Sequence, residues 1–412
     1  MHRVVVTGLG AVTPVGKSVA ATWQAFLAGH SGIDRITRFD TADFDVKIAG
    51  EVKDFSLGDV VGSKEARHLD LGTQYGLVAT QEALTDAALK IDDGNAEQVG
   101  IIFGSAGGGL GLLLRQQQVL QERGSSRVSP MFLPYFLADS TSGVLAMTFG
   151  ASGPNMAVVS ACATGGHALG EAAETIRRGD VPIMIAGGAE AVILPVVMAG
   201  FINMRALVNG NDNPSAASRP FDRDRAGFVL AEGAGAVILE SLDHARERGA
   251  RIYAEVAGYG SSNDAYHMAA PREWGKGAVQ CMRMALRKSA LAPETVDYVN
   301  AHGTSTPLND KYETAAIKEV FGRHAYKLSV SSTKSMVGHM MGAAGAIESI
   351  ACIKAIDEAT VPPTINYETP DPECDLDYTP NQPRHRPVRV AMTNSFGLGG
   401  HNSCVIFQKF EP

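Results

Sequence analysis

Paired cysteines, excess positive charge and unbroken hydrophobic runs are all scarce in this chain of 412 residues. Its 36 Lys and Arg stand against 44 Asp and Glu, for a formal net charge of −8. That balance offers no overall electrostatic footprint for a nucleic acid, and no nucleic-acid partner is expected. The five cysteines, at positions 162, 281, 352, 374 and 404, are odd in number and widely scattered, with no C-x-x-C pair. A disulfide framework and a thiolate zinc site are therefore not expected, and reduced thiols in a cytoplasmic compartment are the simplest reading. The most apolar window, Val181–Ile202, is broken by Gly187, Gly188, Glu190 and Pro195. It predicts a buried strand at Ile183–Ala186 followed by irregular apolar packing rather than a membrane span. Arg3–Thr7 already reads as a strand, so no leader segment is expected ahead of it.

What the chain does have is 45% apolar residues and 45 glycines, a balance that suits an α/β protein with many tight strand-to-helix turns. Its length fits two core-bearing units or one large duplicated one. The first strand ends in Thr7-Gly-Leu-Gly10, which invites a dinucleotide-binding reading, but the third glycine of that pattern is replaced by Thr13. Tyr75–Leu89 has helical periodicity, Val99–Phe103 reads as a buried strand, and a glycine run, Gly104–Gly109, leads into another helix. The charged stretch Ser218–Gly235 runs directly into the apolar strand Ala236–Leu239. The polar helix Asp243–Arg248 then marks a midpoint, predicting halves at 1–250 and 251–412.

The stretch most suggestive of chemistry is Met156–Gly170. Met156–Ser160 reads as a short buried strand, while Leu169, Ala172, Ala173 and Ile176 are spaced as on a helix, placing Cys162 at the bend between them. A thiol at a helix start meets unpaired N–H groups and a favourable dipole, which predicts easier ionisation and a nucleophilic role. A buried, inert thiol is the plainer alternative. The second half carries a partial echo: Val159–Gly170 and Val330–Gly342 each contain G-H-x-x-G near an alanine-rich helix. Duplication would bring Cys162 and the segment bearing Lys334 and His339 into one cavity. In the stretch Tyr298–Pro307 a predicted strand ends in His302, with two hydroxyls close by. Either histidine alone fits a structural imidazole, but strand ends followed by helices are where open α/β sheets place reactive groups.

Ala161–Gly165, Asn300–Pro307, Ser331–His339 and Asn394–Gly400 stand in the order and at the separations seen in the β-ketoacyl-[acyl carrier protein] synthases. The chain resembles these enzymes along nearly its whole length, most closely the elongating synthases of types I and II. The resemblance implies an α/β thiolase fold: two pseudo-twofold-related halves with mixed five-stranded sheets, stacked α-β-α-β-α and paired as a homodimer. It also implies a Cys162, His302, His339 site, with Lys334 held by Glu348 and an oxyanion hole made by the backbone N–H groups of Cys162 and Leu398. Thr304 and Thr306 would hold the phosphopantetheine arm of an acyl carrier protein. Phe396, Leu398 and Gly107 would border the acyl channel, and Lys64, Arg67 and Arg205, with Arg127 less clearly, would dock the carrier. The implied reaction is decarboxylative condensation with malonyl carrier protein, with no metal, nucleotide or redox cofactor and no membrane partner.

The chain departs from the family pattern in four places. Leu398 stands where phenylalanine is usual, and Gly107 where a bulky aliphatic is common, which predicts a roomier acyl channel and a looser gate. Ala226 and Ala231 replace an acid and a glycine in the charged stretch, leaving its order open. A specialised acyl or polyketide ketosynthase, a non-catalytic chain-length partner and a degradative thiolase are the competing readings. The thiolase reading lacks its second cysteine, since Cys404 has no Cys-x-Gly setting.

Overall fold

The computed structural model describes residues 1–411, and its main sheet contains ten strands. The first five are β1, Val4–Val12; β2, Val99–Gly104; β3, Asn155–Met156; β4, Ile183–Glu190; and β5, Gly233–Ser241. The second five are β6, Ala254–Asn263; β7, Tyr298–Asn300; β8, Ser329–Ser331; β9, Val390–Gly397; and β10, His401–Gln408. The strand order is β8-β7-β9-β10-β6-β1-β5-β4-β2-β3. Read outward from the centre, each set of five has its first, fifth, fourth, second and third strands in turn. In both, the first–fifth and fifth–fourth pairs are antiparallel and the other two parallel. Such a repeat of order and direction is the signature of duplication. β1 and β6 join the sets through Val5 and Val6 opposite Glu255 and Ala254.

β1 is buried at every residue, as expected of a strand covered on both faces. Gly8 and Gly10 lie inside it, and a Cβ at either would collide with the backbone of Ala83 or Ala79 on helix α1, Leu71–Asp86. These glycines therefore serve close helix packing rather than a phosphate turn. Helix α2, Thr164–Arg178, and helix α5, Ala344–Glu358, lie between the two sets of strands and share one apolar core with them. Their starts cross so closely that a Cβ on Gly165 would stand 2.7 Å from the Ala346 nitrogen. α1 covers β1, β4 and β5, while helix α3, Lys276–Ser289, covers β6 and β10, with helix α4, Pro307–Phe321, against it.

Two expectations need correction. The apolar window holds a longer strand, β4, followed by a regular helix, Pro195–Asn203, which starts with proline where a missing N–H costs nothing. Met156–Ser160 is not a buried strand: β3 is a two-residue edge strand, and Met156 and Val159 are about half exposed. Val158 packs against the main core, while Met156 and Val159 have no covering layer among the described residues. Among the described residues, no helix is long and apolar enough to cross a membrane.

Candidate active site

α2 starts behind a 3₁₀ turn, Ala161–Ala163, with Cys162 as its middle residue. Ala161 has φ +51°, a left-handed backbone that an L-residue keeps only when its surroundings enforce it. α5 starts the same way: Met341–Ala343 is a 3₁₀ turn and Met341 has φ +43°. Cys162 and Gly342 are thus counterparts. The G-H-x-x-G echo was out of register, because His167 lies within α2 while His339 precedes the turn leading into α5. His167 is a structural imidazole, bonded to Ser160 Oγ at 2.7 Å, to the Asn402 carbonyl and to Ser261. Burial holds its pKa down to about 4.

His302 follows β7, and its loop is fixed from below by Glu313 of α4. The Glu313 carboxylate accepts the N–H groups of His302 at 2.9 Å and Gly303 at 2.8 Å, and the Asn394 side chain at 3.2 Å. Burial pushes Glu313 up to about 7. His339 is held by its main chain: its N–H donates to the Val229 carbonyl at 2.7 Å, and its carbonyl accepts from Ala231 at 2.9 Å. Gly50 pairs on the far side of residues 230 and 232. Ala231 fits without disorder because glycines flank it: a Cβ at Gly50 or Gly338 would stand 2.8 or 3.0 Å from its methyl. The charged stretch is ordered as well. Asp222 is fully buried, and Arg225 donates to Asp371 at 2.6 Å and to the carbonyls of Asp222, Thr306 and Pro307.

A ligating atom from each of Cys162, His302 and His339 lies within 4.8 Å of the others. The two imidazoles meet edge to face, with centroids 5.3 Å apart. Both ring nitrogens of His339 are buried without a hydrogen-bond partner, an arrangement that normally calls for a ligand. Burial, first, and the Lys334 charge, second, hold both histidines well below their ordinary pKa, so both are neutral at pH 7. Lys334 pairs with Glu348, each 2% exposed, and its Nζ lies 3.4 Å from His302 Nδ1. Removing either partner of such a buried pair strands the other charge, at a cost of about 3–5 kcal/mol.

The thiol departs from expectation. Burial pushes Cys162 up to about 11, although the Leu398 N–H and the Lys334 charge pull the other way. The helix start favours the thiolate as well, but the loss of water outweighs these contributions in the resting protein. Cys162 is therefore held as a thiol until a reaction removes its proton.

The three groups lie in a cavity of about 450 Å³, which also takes in Thr304, Thr306, Phe396, Leu398 and Arg205. Thr304 and Thr306 share a hydrogen bond of 2.9 Å between hydroxyls. The Leu398 turn reaches the cysteine so closely that a Cβ at Gly397 would stand 3.0 Å from the Cys162 nitrogen. That turn is tied to the 263–268 loop through Gly399 N–H to the Met268 carbonyl, 2.8 Å, and Asn263 to the Gly399 carbonyl, 2.9 Å. Ala226 is exposed at the same cavity. Lys64, Arg67 and Arg127 are exposed but do not border it.

Gly107 is also outside the cavity lining, which corrects the expectation of a channel widened there. Val192 occupies the space: a Cβ on Gly107 would stand 2.5 Å from its Cγ1 and 3.2 Å from Glu190 Oε1. Gly107→Ile is therefore expected to lower stability by about 1–3 kcal/mol through overpacking. Thermal unfolding reads this as a drop in Tm, and an unchanged Tm would mean that the wall yields freely.

Residues 1–245 match the model of the β-ketoacyl synthase N-terminal domain, and residues 253–368 that of the C-terminal domain. The chain belongs to the β-ketoacyl synthase family. One similar family member is the 3-oxoacyl-[acyl-carrier-protein] synthase 2 of Synechocystis sp., 50% identical over 99% of this chain and 98% of its own. The ishigamide ketosynthase/chain length factor superposes with a TM-score of 0.93 at 36% identity, covering all of both chains. A type II polyketide-synthase ketosynthase, solved with its acyl-carrier protein and bound to the hexaketide, gives 0.90 at 37% identity over 99% of this chain and 100% of its own. The thiolase fold is thereby shown. Within this synthase site, sequence reasoning passed over Glu313, Phe228 and Met341. Glu313 acts through two backbone N–H groups and the Asn394 side chain, while Phe228 stacks edge-on against His339 with centroids 5.4 Å apart; no local motif marks either.

Proposed function

We propose that this chain is an elongating 3-oxoacyl-[acyl-carrier-protein] synthase of fatty-acid synthesis. The observation carrying the reading is the convergence of the Cys162 thiol with two neutral imidazoles in one cavity. In the first half-reaction, Cys162 sulfur attacks the acyl thioester of the carrier and the carrier thiol leaves. The thiol's proton is lost as the carbon–sulfur bond forms, because burial disfavours a free thiolate, and it ends on the departing carrier sulfur. The N–H groups of Cys162 and Leu398 hold the oxyanion of the tetrahedral intermediate. In the second, malonyl carrier protein loses CO₂, and its thioester oxygen takes the developing negative charge. His302 and His339, both neutral, donate hydrogen bonds to that oxygen; the enolate carbon then attacks the acyl-cysteine, releasing the sulfur and a 3-oxoacyl thioester two carbons longer.

Lys334, fixed by Glu348, orients His302 and favours its neutral form. Thr304 and Thr306 fit the amides of the phosphopantetheine arm, and Phe396 and Leu398 gate the acyl channel, Leu398 leaving more room than phenylalanine. Arg205 beside the cavity, with Lys64 and Arg67, supplies positive charge for an acidic carrier. The uncovered apolar edge at β3 supports a homodimer, and the unpaired cysteines fit a cytoplasmic enzyme; decarboxylation drives the condensation forward, so the reaction as written calls for no metal or redox cofactor. The polyketide relatives keep a specialised primer in view, whereas Cys162 in place among the imidazoles speaks against a non-catalytic chain-length partner. The test is to supply purified protein with an acyl carrier-protein primer and malonyl carrier protein. One CO₂ is expected per 3-oxoacyl product; carbon–carbon cleavage onto coenzyme A, or no product, would overturn the reading.

A further inference from the structure

The helix starts of α2 and α5 are counterparts, yet they hold different groups. At α2 the turn carries Cys162; at α5 the turn carries Gly342, whose N–H donates to a carboxylate from the other half, Glu190 Oε2, at 2.9 Å. Glu190 ends β4 and is 1% exposed. It also accepts the N–H groups of Ala106 at 2.8 Å and Gly107 at 3.1 Å, and the Ser105 hydroxyl at 2.9 Å. Four donors from two halves of the chain thus meet one carboxylate that has no ion-pair partner among the described residues. Glycine at 342 is required for this approach, since a Cβ there would stand 2.6 Å from the Ala106 nitrogen and 2.8 Å from Glu190 Oε2.

The fastened pieces border the reaction. Met341, strained at φ +43°, lines the cavity with Cys162, and Ala106 packs into the same apolar cluster. His339 lies only three residues before Gly342. We propose that Glu190 is a positioning residue for the condensation: it clamps the Ser105–Gly107 wall to the α5 start, so that Met341 and His339 stay in register with Cys162. Its charge acts alongside this, because the Glu190 carboxylate opposes ionisation of the Cys162 thiol. The clamp keeps the site aligned, and the same carboxylate adds to the burial that keeps the resting sulfur protonated. The inference rests on the condensing reaction proposed above.

Glu190→Gln places an N–H₂ group among four donors and removes the charge, whereas Glu190→Asp keeps the charge but shortens the reach. For Glu190→Gln, kcat of condensation should fall about tenfold with KM for the carrier within about twofold. The midpoint of the pH profile for iodoacetamide alkylation of Cys162, expected near 11 in the parent, should move measurably down. A merely structural role would not predict that downward movement. For Glu190→Asp, kcat should fall while the alkylation midpoint stays near that of the parent, and this variant decides the matter if Glu190→Gln does not fold. Unchanged kcat in a folded variant, or an unmoved midpoint in Glu190→Gln, overturns the proposal. A parent protein that makes no product overturns the proposed function instead, and the alkylation profile still reads the effect of the charge.

Discussion

Cys162→Ala is expected to abolish condensation, by about 10⁴-fold or more, while decarboxylation of malonyl carrier protein continues. The asymmetry follows from the division of labour in the cavity. Only the sulfur can hold the primer, but the thioester oxygen of the malonyl group needs only the two imidazoles and their fixed surroundings. Alanine at 162 leaves the Ala161–Ala163 turn and its left-handed first residue in place, so little stability should be lost. CO₂ release and 3-oxoacyl product, measured separately on the same sample, should come apart: release persists and product disappears. Product formation at even a tenth of the parental rate would remove Cys162 from the role of nucleophile.

His339→Ala is expected to lower decarboxylation by about 10²–10³-fold, the usual cost of losing one donor to a developing oxyanion. Transfer of the primer to Cys162 should fall much less, because the oxyanion donors for that step are backbone N–H groups near the Leu398 turn. Alanine at 339 keeps the main-chain bonds to Val229 and Ala231, so the loss reports the ring itself. The parent should also show a decarboxylation rate nearly flat between about pH 6.5 and 8, since both rings are already neutral there. Their pKa values are lower in the folded chain than in the unfolded chain. The folded state therefore binds fewer protons, and the stability contributed by these histidines is full above about pH 6.5 and lost as pH falls below it. A rate that rises through pH 6–7 with a single proton lost would point to a charged imidazole in the resting enzyme.

The parts of the fold most legible in the sequence were those with a strong periodic signal. β1, β2, α1 and α2 announce themselves through apolar spacing, and the four motif stretches place Cys162, His302, His339, Lys334 and Leu398 before any coordinates. Gly8 and Gly10 read as the end of a strand rather than its interior because sequence cannot show Ala83 and Ala79 pressing on them from α1. The true internal echo, Ala161–Gly165 with Met341–Gly345, was hidden because what repeats is a backbone turn, and only one alanine, Ala163 with Ala343, and one glycine, Gly165 with Gly345, carry through. Met156–Ser160 reads as buried by composition, but Met156 sits on an edge strand and, like Val159, stays about half exposed. The thiol's resting state was misread because a helix start speaks for ionisation in the sequence, while the burial that opposes it exists only once both halves have closed around Cys162. Gly107 was misassigned for a related reason: the side chain that fills its space, Val192, comes from another segment.

The central claim is that one of five buried cysteines carries the acyl group between the two half-reactions. Intact-protein mass spectrometry after incubation with an acyl carrier-protein primer, followed by peptide mapping, tests it most directly. The account predicts a single adduct of the acyl mass, on the peptide containing Cys162, which disappears when malonyl carrier protein is added and the longer 3-oxoacyl product forms. No adduct, or one on Cys281, Cys352, Cys374 or Cys404 that malonyl carrier protein does not discharge, would contradict it.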